Sequence, residues 1–408
     1  MTDTAPVDWA KARDIGYSAG RAARRPAVHL PLAQTDGYTL AEPLATLTDL
    51  PAFPTSSVDG WAVRGAGPWR VVGEVLAGAV PDPLAEPGTA VRIATGAMVP
   101  SGATSVLRVE ESTTDGAGLV RGEPRQHPEW RTPGEEASVG EELLPVGTPV
   151  DPGVMGLAAS CGYDTLSVHR PVRAALLIFG DELLTSGRPG AGRVRDALGP
   201  AVPAWLRRYG CEVPDGAVTG PVADTLDAHV DELRAALTEA DLVCTTGGTM
   251  HGPVDHLHPA LRAVGAEYVV NTVAVRPGFP MLLARISGDD GRERFIAGLP
   301  GNPQSAIVAL VSLVAPLLAG LHGRAAPVLP RYRLGAPLPG RGDFTHLALV
   351  RADPVTGAVH PVRHVGSAML RGLATATGFA VIPPGGEGLP GDEVSVVPLQ
   401  LLPGERLP

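Results

Sequence analysis

The 408-residue sequence predicts a multidomain α/β-plus-β chain, in which one doubly wound α/β domain is set between regions of short strands. Three observations predict it. A chain of this length exceeds what a single hydrophobic core serves, so two to four domains are expected. Its 51 Gly and 42 Pro cut most of the sequence into short apolar runs separated by turns. From about residue 170 the pattern changes to apolar runs alternating with helical periodicity, as in a parallel sheet with crossover helices.

Taken in order, residues 8–25 (DWAKARDIGYSAGRAARR) read as a helix whose last turn carries arginine, as the helix dipole favours. AVHLPLAQ and YTLAEPL read as strands, and the Pro-rich LPAFPTSSVDGWAV leads into an all-β stretch with WRVVGEVLAG, TAVRIATG and SVLRVEES. VRAALLIFG is continuously apolar and ends in glycine, as a buried parallel strand does. ALGPAVPAWLRRYGCEV predicts a helix leading into a strand. TLDAHVDELRAALTEA, apolar at 226, 230, 233 and 237, predicts an amphipathic helix before the strand DLVCTTGG. A helix (HLHPALRAVG), a strand (EYVVNTVAV) and a strand (ERFIAGLPG) follow.

The longest apolar stretch, 305–321, is shorter than a membrane span and is interrupted by Ser312 and Pro316, so it is expected to be a buried helix. Beyond GRAAPVLP, the runs RYRLGAPL, THLALVRAD, FAVIPPGGEGL and DEVSVVPL predict a small C-terminal β domain. The expected partition is 1–53 with 138–169, then 54–137, 170–324 and 325–408.

A hydrophobic content of 44% with 19% charged residues is that of a globular chain. The net charge of −10 and the lack of a basic run argue against a nucleic-acid partner. An acidic N-terminus without an apolar core predicts no signal peptide, and no membrane span is expected. Cys161, Cys211 and Cys244 have no CxxC spacing, so reduced thiols in a cytoplasmic protein are expected rather than disulfides or zinc. Lys11 is the single lysine, which removes lysine chemistry from the rest of the chain.

In an open parallel sheet, ligands bind beyond the carboxyl ends of the strands. Four loops are expected there. FGDELL carries Asp181 and Glu182; TTGGTMHGPVDH carries Gly247 and Gly248, whose backbone can approach a ligand closely. RPGFP pairs the cation Arg276 with an exposed-looking Phe279, and GLPGNPQS opens the longest helix, where backbone amides favour an anion. No Walker A loop or GxGxxG fingerprint occurs. His251, His256 and His258 surround Asp255 at a spacing that fits no zinc motif, so they are read as solvent-facing or capping residues.

Together these segments resemble the molybdopterin molybdenumtransferases, the MoeA/gephyrin family of molybdenum-cofactor biosynthesis, from about residue 28 to about residue 400. The resemblance is carried in order by LPAFPTSSVDGWAV, RIATGAMVPSGATSVLRVEES, WRTPGEEASVGEELLPVGT, GDEL, TTGG, RPGFP and GLPGNPQSA. It implies an elongated homodimer, with the active cleft shared between one protomer's molybdopterin-binding α/β domain and its partner's β-rich domain. It also implies Mg²⁺ as cofactor, adenylylated molybdopterin and molybdate as substrates, AMP as product, and a molybdopterin adenylyltransferase as a further partner.

Residue by residue, the resemblance makes Asp59, Thr95, Glu182, Asp255 and Arg276 catalytic, with Glu182 and Asp255 as metal ligands. Arg131, Glu136, Gly247, Gly248, Pro277, Gly278, Gly301, Asn302, Ser305 and Ser367 would bind substrate. Three positions depart from the family pattern: Met250 replaces a serine, Phe279 a lysine, and Leu198 the asparagine of an Asp-x-Asn. They leave open an alternative, a catalytically impaired paralogue that binds a pterin nucleotide as carrier, scaffold or regulator.

Overall fold

The computed structural model describes residues 5–115, 117–250, 255–288 and 290–399. Helix α1 (Trp9–Ala22) begins at Asp8, whose carboxylate accepts a hydrogen bond from Lys11 N at 3.0 Å. A three-stranded antiparallel sheet then forms from Val28–Pro31, Thr165–His169 and Thr39–Leu40, with Thr165–His169 in the middle. Helix α2 (Pro152–Ser160), capped by Asp151, packs Val154 and Ala158 against Leu40, Leu44 and Leu166. The segments on either side of the β-rich region therefore share one small core.

The β-rich region holds a six-stranded sheet in the order Ser105–Arg108, Gly60–Arg64, Thr89–Ile93, Trp69–Val75, Leu119–Gly122, Ser112–Thr114. Alternation places Ala62 and Ile93 in one core cluster and Val63, Trp69 and Leu107 in another, so both faces carry packed side chains.

The α/β region is built on β1 (Ala174–Phe179), β2 (Val218–Val222), β3 (Leu242–Thr246), β4 (Glu267–Asn271), β5 (Leu282–Ser287) and β6 (Glu293–Leu299). Their order in the sheet is β2-β1-β3-β6-β5-β4. The first four run parallel, while β5 and β4 are antiparallel additions at one edge. All six residues of β1 are buried, because helices cover both faces of the sheet. Helix α3 (Leu198–Arg208) shares one core with α1 and the long helix after β6. Helices α4 (Leu226–Glu239) and α5 (Leu257–Ala263) fill the other.

Two expectations about these elements change. The strand after α3 is not at 211–213, where a single bridge joins Arg173 and Glu212; it comes later, as β2. The stretch EYVVNTVAV is not one strand. It turns at Thr272, with φ at +63°, and Val275–Arg276 joins the C-terminal sheet, parallel to Thr345 and His346.

The apolar helix runs as α6 (Pro303–Ala309), a π-helical turn (Leu310–Val314) and α7 (Ala315–Leu321). It is buried as expected, but Ser312 and Pro316 do not break it. Pro316 lies in the first turn of α7, where the wide π turn precedes it and the missing N–H costs little. Groups on the π turn are taken up by α1: Arg13 Nη1 donates to Val311 O and Trp9 Nε1 to Ser312 Oγ, each at 2.8 Å. Helices α1 and α7 approach so closely that a Cβ on Gly20 would lie 2.1 Å from Leu317 O, and one on Gly320 2.3 Å from Tyr17 O. Among the described residues no other helix is long and apolar enough to cross a membrane, and this one is 94% buried over its most apolar window.

The C-terminal sheet orders Val275–Arg276, Thr345–Ala352, Gly378–Ile382, Glu393–Pro398 and Arg331–Arg333. Arg276 pairs with His346, so the turn expected on the α/β sheet edge is also the seam to this sheet.

Candidate active site

The parallel strands end together, and their following loops meet. Gly247 N donates to Leu299 O at 2.9 Å, and a Cβ on Gly301 would lie 3.7 Å from Gly247 Cα, so the TTGG and GLPGN loops touch. Gly247 and Gly248 both adopt left-handed φ, at +86° and +65°, a conformation that a serine or alanine there would resist. On the other side of β1, Asp181 N donates to Asp224 Oδ2 at 3.2 Å. Glu182 is exposed and folds back over Gly180, its Oε2 2.7 Å from where a Gly180 Cβ would stand. Asp255, half-buried, precedes α5.

A second group lines a cleft of about 840 Å³ between the α/β and C-terminal regions. Arg276, Pro277, Gly278, Asn302, Ser305 and Ser367 all line it. Gly278, at φ +101°, lets the RPGFP turn seat on α6, since a Cβ there would come within 3.2 Å of Val308 Cγ1. Gln304 N donates to Ser367 O at 3.0 Å, tying the start of α6 to the loop that carries Ser367. Among the described lining residues none is acidic, whereas Arg276 and Arg341 carry positive charge. In a chain of net charge −10, a lining charged only by these two guanidiniums suits an anion. His346 Nδ1 donates to Pro339 O at 2.7 Å; burial, countered in part by that bond, pushes its pKa below the ordinary value. Phe279 is half-buried, not exposed as expected, because it packs on Arg276 and Phe344.

The third group lies in the β-rich region, where three sequence-distant segments are joined. Thr55–Ser56 pairs with Trp130–Arg131, Gly96 N donates to Ser56 O at 2.9 Å, and Glu136 N donates to Leu50 O at 2.8 Å. Asp59 Oδ1 accepts from Thr95 N at 2.7 Å and from Thr95 Oγ1 at 2.9 Å. These bonds, with Arg92 nearby, hold the Asp59 carboxyl below the usual range. Arg131 Nη2 meets Glu136 Oε2 at 3.0 Å. None of these four residues lines the cleft of its own chain.

Three family models match the chain in order: the MoeA N-terminal region (domain I and II) over 7–162, a probable molybdopterin binding domain over 175–320, and the MoeA C-terminal region (domain IV) over 331–399. The chain belongs to the MoeA family. It is similar to the molybdopterin molybdenumtransferase of Staphylococcus aureus strain MSSA476, 29% identical over 372 residues and covering 88% of this chain and 83% of that one. The Staphylococcus epidermidis enzyme of strain ATCC 12228 is likewise 29% identical, over 377 residues and 88% of each chain. In fold it is similar to the molybdopterin biosynthesis moeA protein of Pyrococcus horikoshii OT3, with a TM-score of 0.74 at 21% identity over 97% of this chain and 100% of that one.

Within this MoeA chain, His256 stands at the N-cap position of α5, one of the two expected placements, although its side chain makes no capping bond, whereas His258 departs from both. His251 lies outside the described residues. His258 is 6% exposed rather than solvent-facing, with Nδ1 2.6 Å from Tyr268 Oη and Nε2 3.4 Å from Thr249 O. His256 meets the buried His229 edge-on at 5.7 Å, and His229 stacks on Phe179. Among the described residues, no three His, Cys, Asp or Glu side chains form a metal-binding group.

Sequence reasoning missed Asp224, Arg341, Phe344 and His346. Asp224 was hidden because β2 carries Gly220 and Pro221 and gives a weak strand signal. The other three come from the C-terminal region, and nothing in their local sequence links them to RPGFP. The departure at Leu198 is a core residue, 5% exposed, and Asp196 is engaged in accepting from Leu198 N and Gly199 N at 2.9 Å.

Proposed function

We propose that this MoeA-family chain inserts molybdate into adenylylated molybdopterin and releases AMP. The observation that carries the reading is the joining of Arg276, Asn302, Ser305 and Ser367 around one cleft with no acidic residue among its described lining, in a chain matched in order by two MoeA models and a molybdopterin-binding model between them.

In this reading the acid-free cleft receives the oxyanion, with Arg276 supplying charge and Ser305 and Ser367 supplying hydroxyl donors. The glycines of the TTGG and GLPGN loops bring backbone amides to the pterin phosphate, as Gly247, Gly248 and Gly301 permit. Glu182 and Asp255, on the loops that follow the parallel strands β1 and β3, would offer hard oxygen donors to Mg²⁺, completed by substrate phosphates and water. Mg²⁺ would neutralise charge on the phosphoanhydride. Asp59, Thr95, Arg131 and Glu136 would act across a homodimer: they are pre-assembled by their mutual bonds, and their absence from their own cleft supports a role in the partner's.

We further infer a division at 1–53 with 138–169, 54–137, 170–324 and 325–408, and a place in the cytoplasm, where the buried free thiols stay reduced. The pterin nucleotide would come from a molybdopterin adenylyltransferase. The impaired-paralogue reading loses one of its supports, because Leu198 faces the core rather than a ligand.

The test is formation of molybdenum cofactor by the purified chain from adenylylated molybdopterin, molybdate and Mg²⁺, with AMP as the second readout. Cofactor and AMP in equal amounts are expected. Pterin-nucleotide binding without either product would replace this reading by the carrier.

A further inference from the structure

The RPGFP turn holds one cation, and its fourth residue is put to a different use. The Arg276 guanidinium lies 5.2 Å from the ring centroid of Phe279 and 4.5 Å from that of Phe344. The two rings meet edge-to-face, 5.6 Å apart at 82°. Both are half-buried, whereas Arg276 is exposed and, among the described residues, makes no ion pair. Phe344 arrives from the C-terminal region, two residues before His346, which pairs with Arg276 in the sheet. All three side chains line the same acid-free cleft.

A lone arginine at a cleft mouth samples many rotamers, and ordering them weakens any anion it binds. A ring below and beside the guanidinium limits those rotamers, while leaving its five N–H donors, which lie in the guanidinium plane, free to bond. We propose that Phe344, with Phe279, is a positioning residue for oxyanion binding: the pair holds Arg276 over the cleft, so that the turn presents one fixed cation where the family pattern places two. The proposal rests on the molybdate-insertion reading above. It also makes oxyanion affinity depend on contact between two regions of the chain.

The experiment uses the full chain, with tungstate binding followed by calorimetry and molybdate-dependent cofactor formation followed kinetically. Phe344→Leu keeps apolar bulk but removes the ring face. It is expected to weaken tungstate binding by about 3- to 30-fold, the range of a cation–π contact, and to raise the KM for molybdate with kcat nearly unchanged. Phe344→Tyr, which restores the face, should return both to within about 2-fold. Phe279→Leu should act in the same direction as Phe344→Leu, which keeps the test decisive if that variant fails to fold.

An unchanged KM and tungstate affinity in a folded Phe344→Leu or Phe279→Leu chain, while wild type turns over, overturns the positioning role alone. Failure of the wild type both to bind tungstate and to form cofactor overturns the underlying reading and this inference with it. A loss of affinity in Phe344→Leu that Phe344→Tyr does not recover assigns Phe344 a packing role instead.

Discussion

Replacing Gly20 with alanine probes the seam that fixes the helix leading from the cleft. The added Cβ would lie 2.1 Å from Leu317 O and 3.0 Å from both Leu317 C and Leu321 N. Carbon–oxygen contacts settle at about 3.3–3.6 Å, so α1 and α7 must part by about 1 Å. Backbone lies on the far side, and no side chain can swing away. Overpacking of this kind costs about 1–3 kcal/mol. The separation also stretches the bonds from Arg13 to Val311 O and from Trp9 to Ser312 Oγ, each now 2.8 Å. A bond from a charged donor is worth about 1.5–3 kcal/mol and a neutral one about 0.5–1.5 kcal/mol, and they are only partly lost.

Less the gain of about 0.5–1 kcal/mol that alanine brings inside a helix, a destabilisation of about 2–4 kcal/mol is expected, against a total of about 5–15 kcal/mol for a typical domain. Trp9 sits in the seam, 4% exposed, so its share of the fluorescence of the five tryptophans reports this region in a urea titration, while far-UV dichroism follows the whole chain. Gly156→Ala is the control: it lies in α2 with nothing within 4 Å of its Cβ position. That change should stabilise by about 0.5–1 kcal/mol. A Gly20→Ala midpoint equal to or above wild type, with Gly156→Ala behaving as stated, would refute the reasoning about the seam.

Thr95→Ala should let the Asp59 carboxyl titrate closer to its ordinary value near 3.8, because both bonds that hold it down come from Thr95 and the side-chain one is removed. Since the folded pKa is depressed, the loop's ordering is present above that ordinary value and lost as pH falls through the folded one; carboxyl NMR shifts would follow it. His322 is 1% exposed, and burial with Arg324 and His169 nearby drives its pKa well below 6.5, with Nε2 accepting from Val172 N at 3.2 Å. Stability should thus fall as pH drops below 6.5, and His322→Gln should flatten that slope in denaturant titrations, whatever its effect at neutral pH. Burial pushes the Cys244 thiol up to about 12, and Cys161 and Cys211 are also buried, so a thiol reagent at pH 8 should label none of the three until the chain unfolds.

What the sequence determined by itself was the local part of the structure. A continuous apolar run of six residues followed by glycine, AALLIF, reads as a strand covered on both faces, and the longer 305–321 as a buried helix, since no charged residue lies along either. The order of the glycine-bearing loops also sufficed for the family, because closely approaching backbones constrain residue type at each position. Tertiary structure decided whatever depends on partners distant in the chain. EYVVNTVAV divides between two sheets because Val275 and Arg276 find partners at 345–346. Pro316 is tolerated because a π turn precedes it and α1 takes up the groups that turn leaves. His258 is buried because Tyr268 and Thr249 satisfy its ring. Phe279 reads as a lost cation in one dimension; only the arrival of Phe344 beside it shows the residue that holds Arg276 in place.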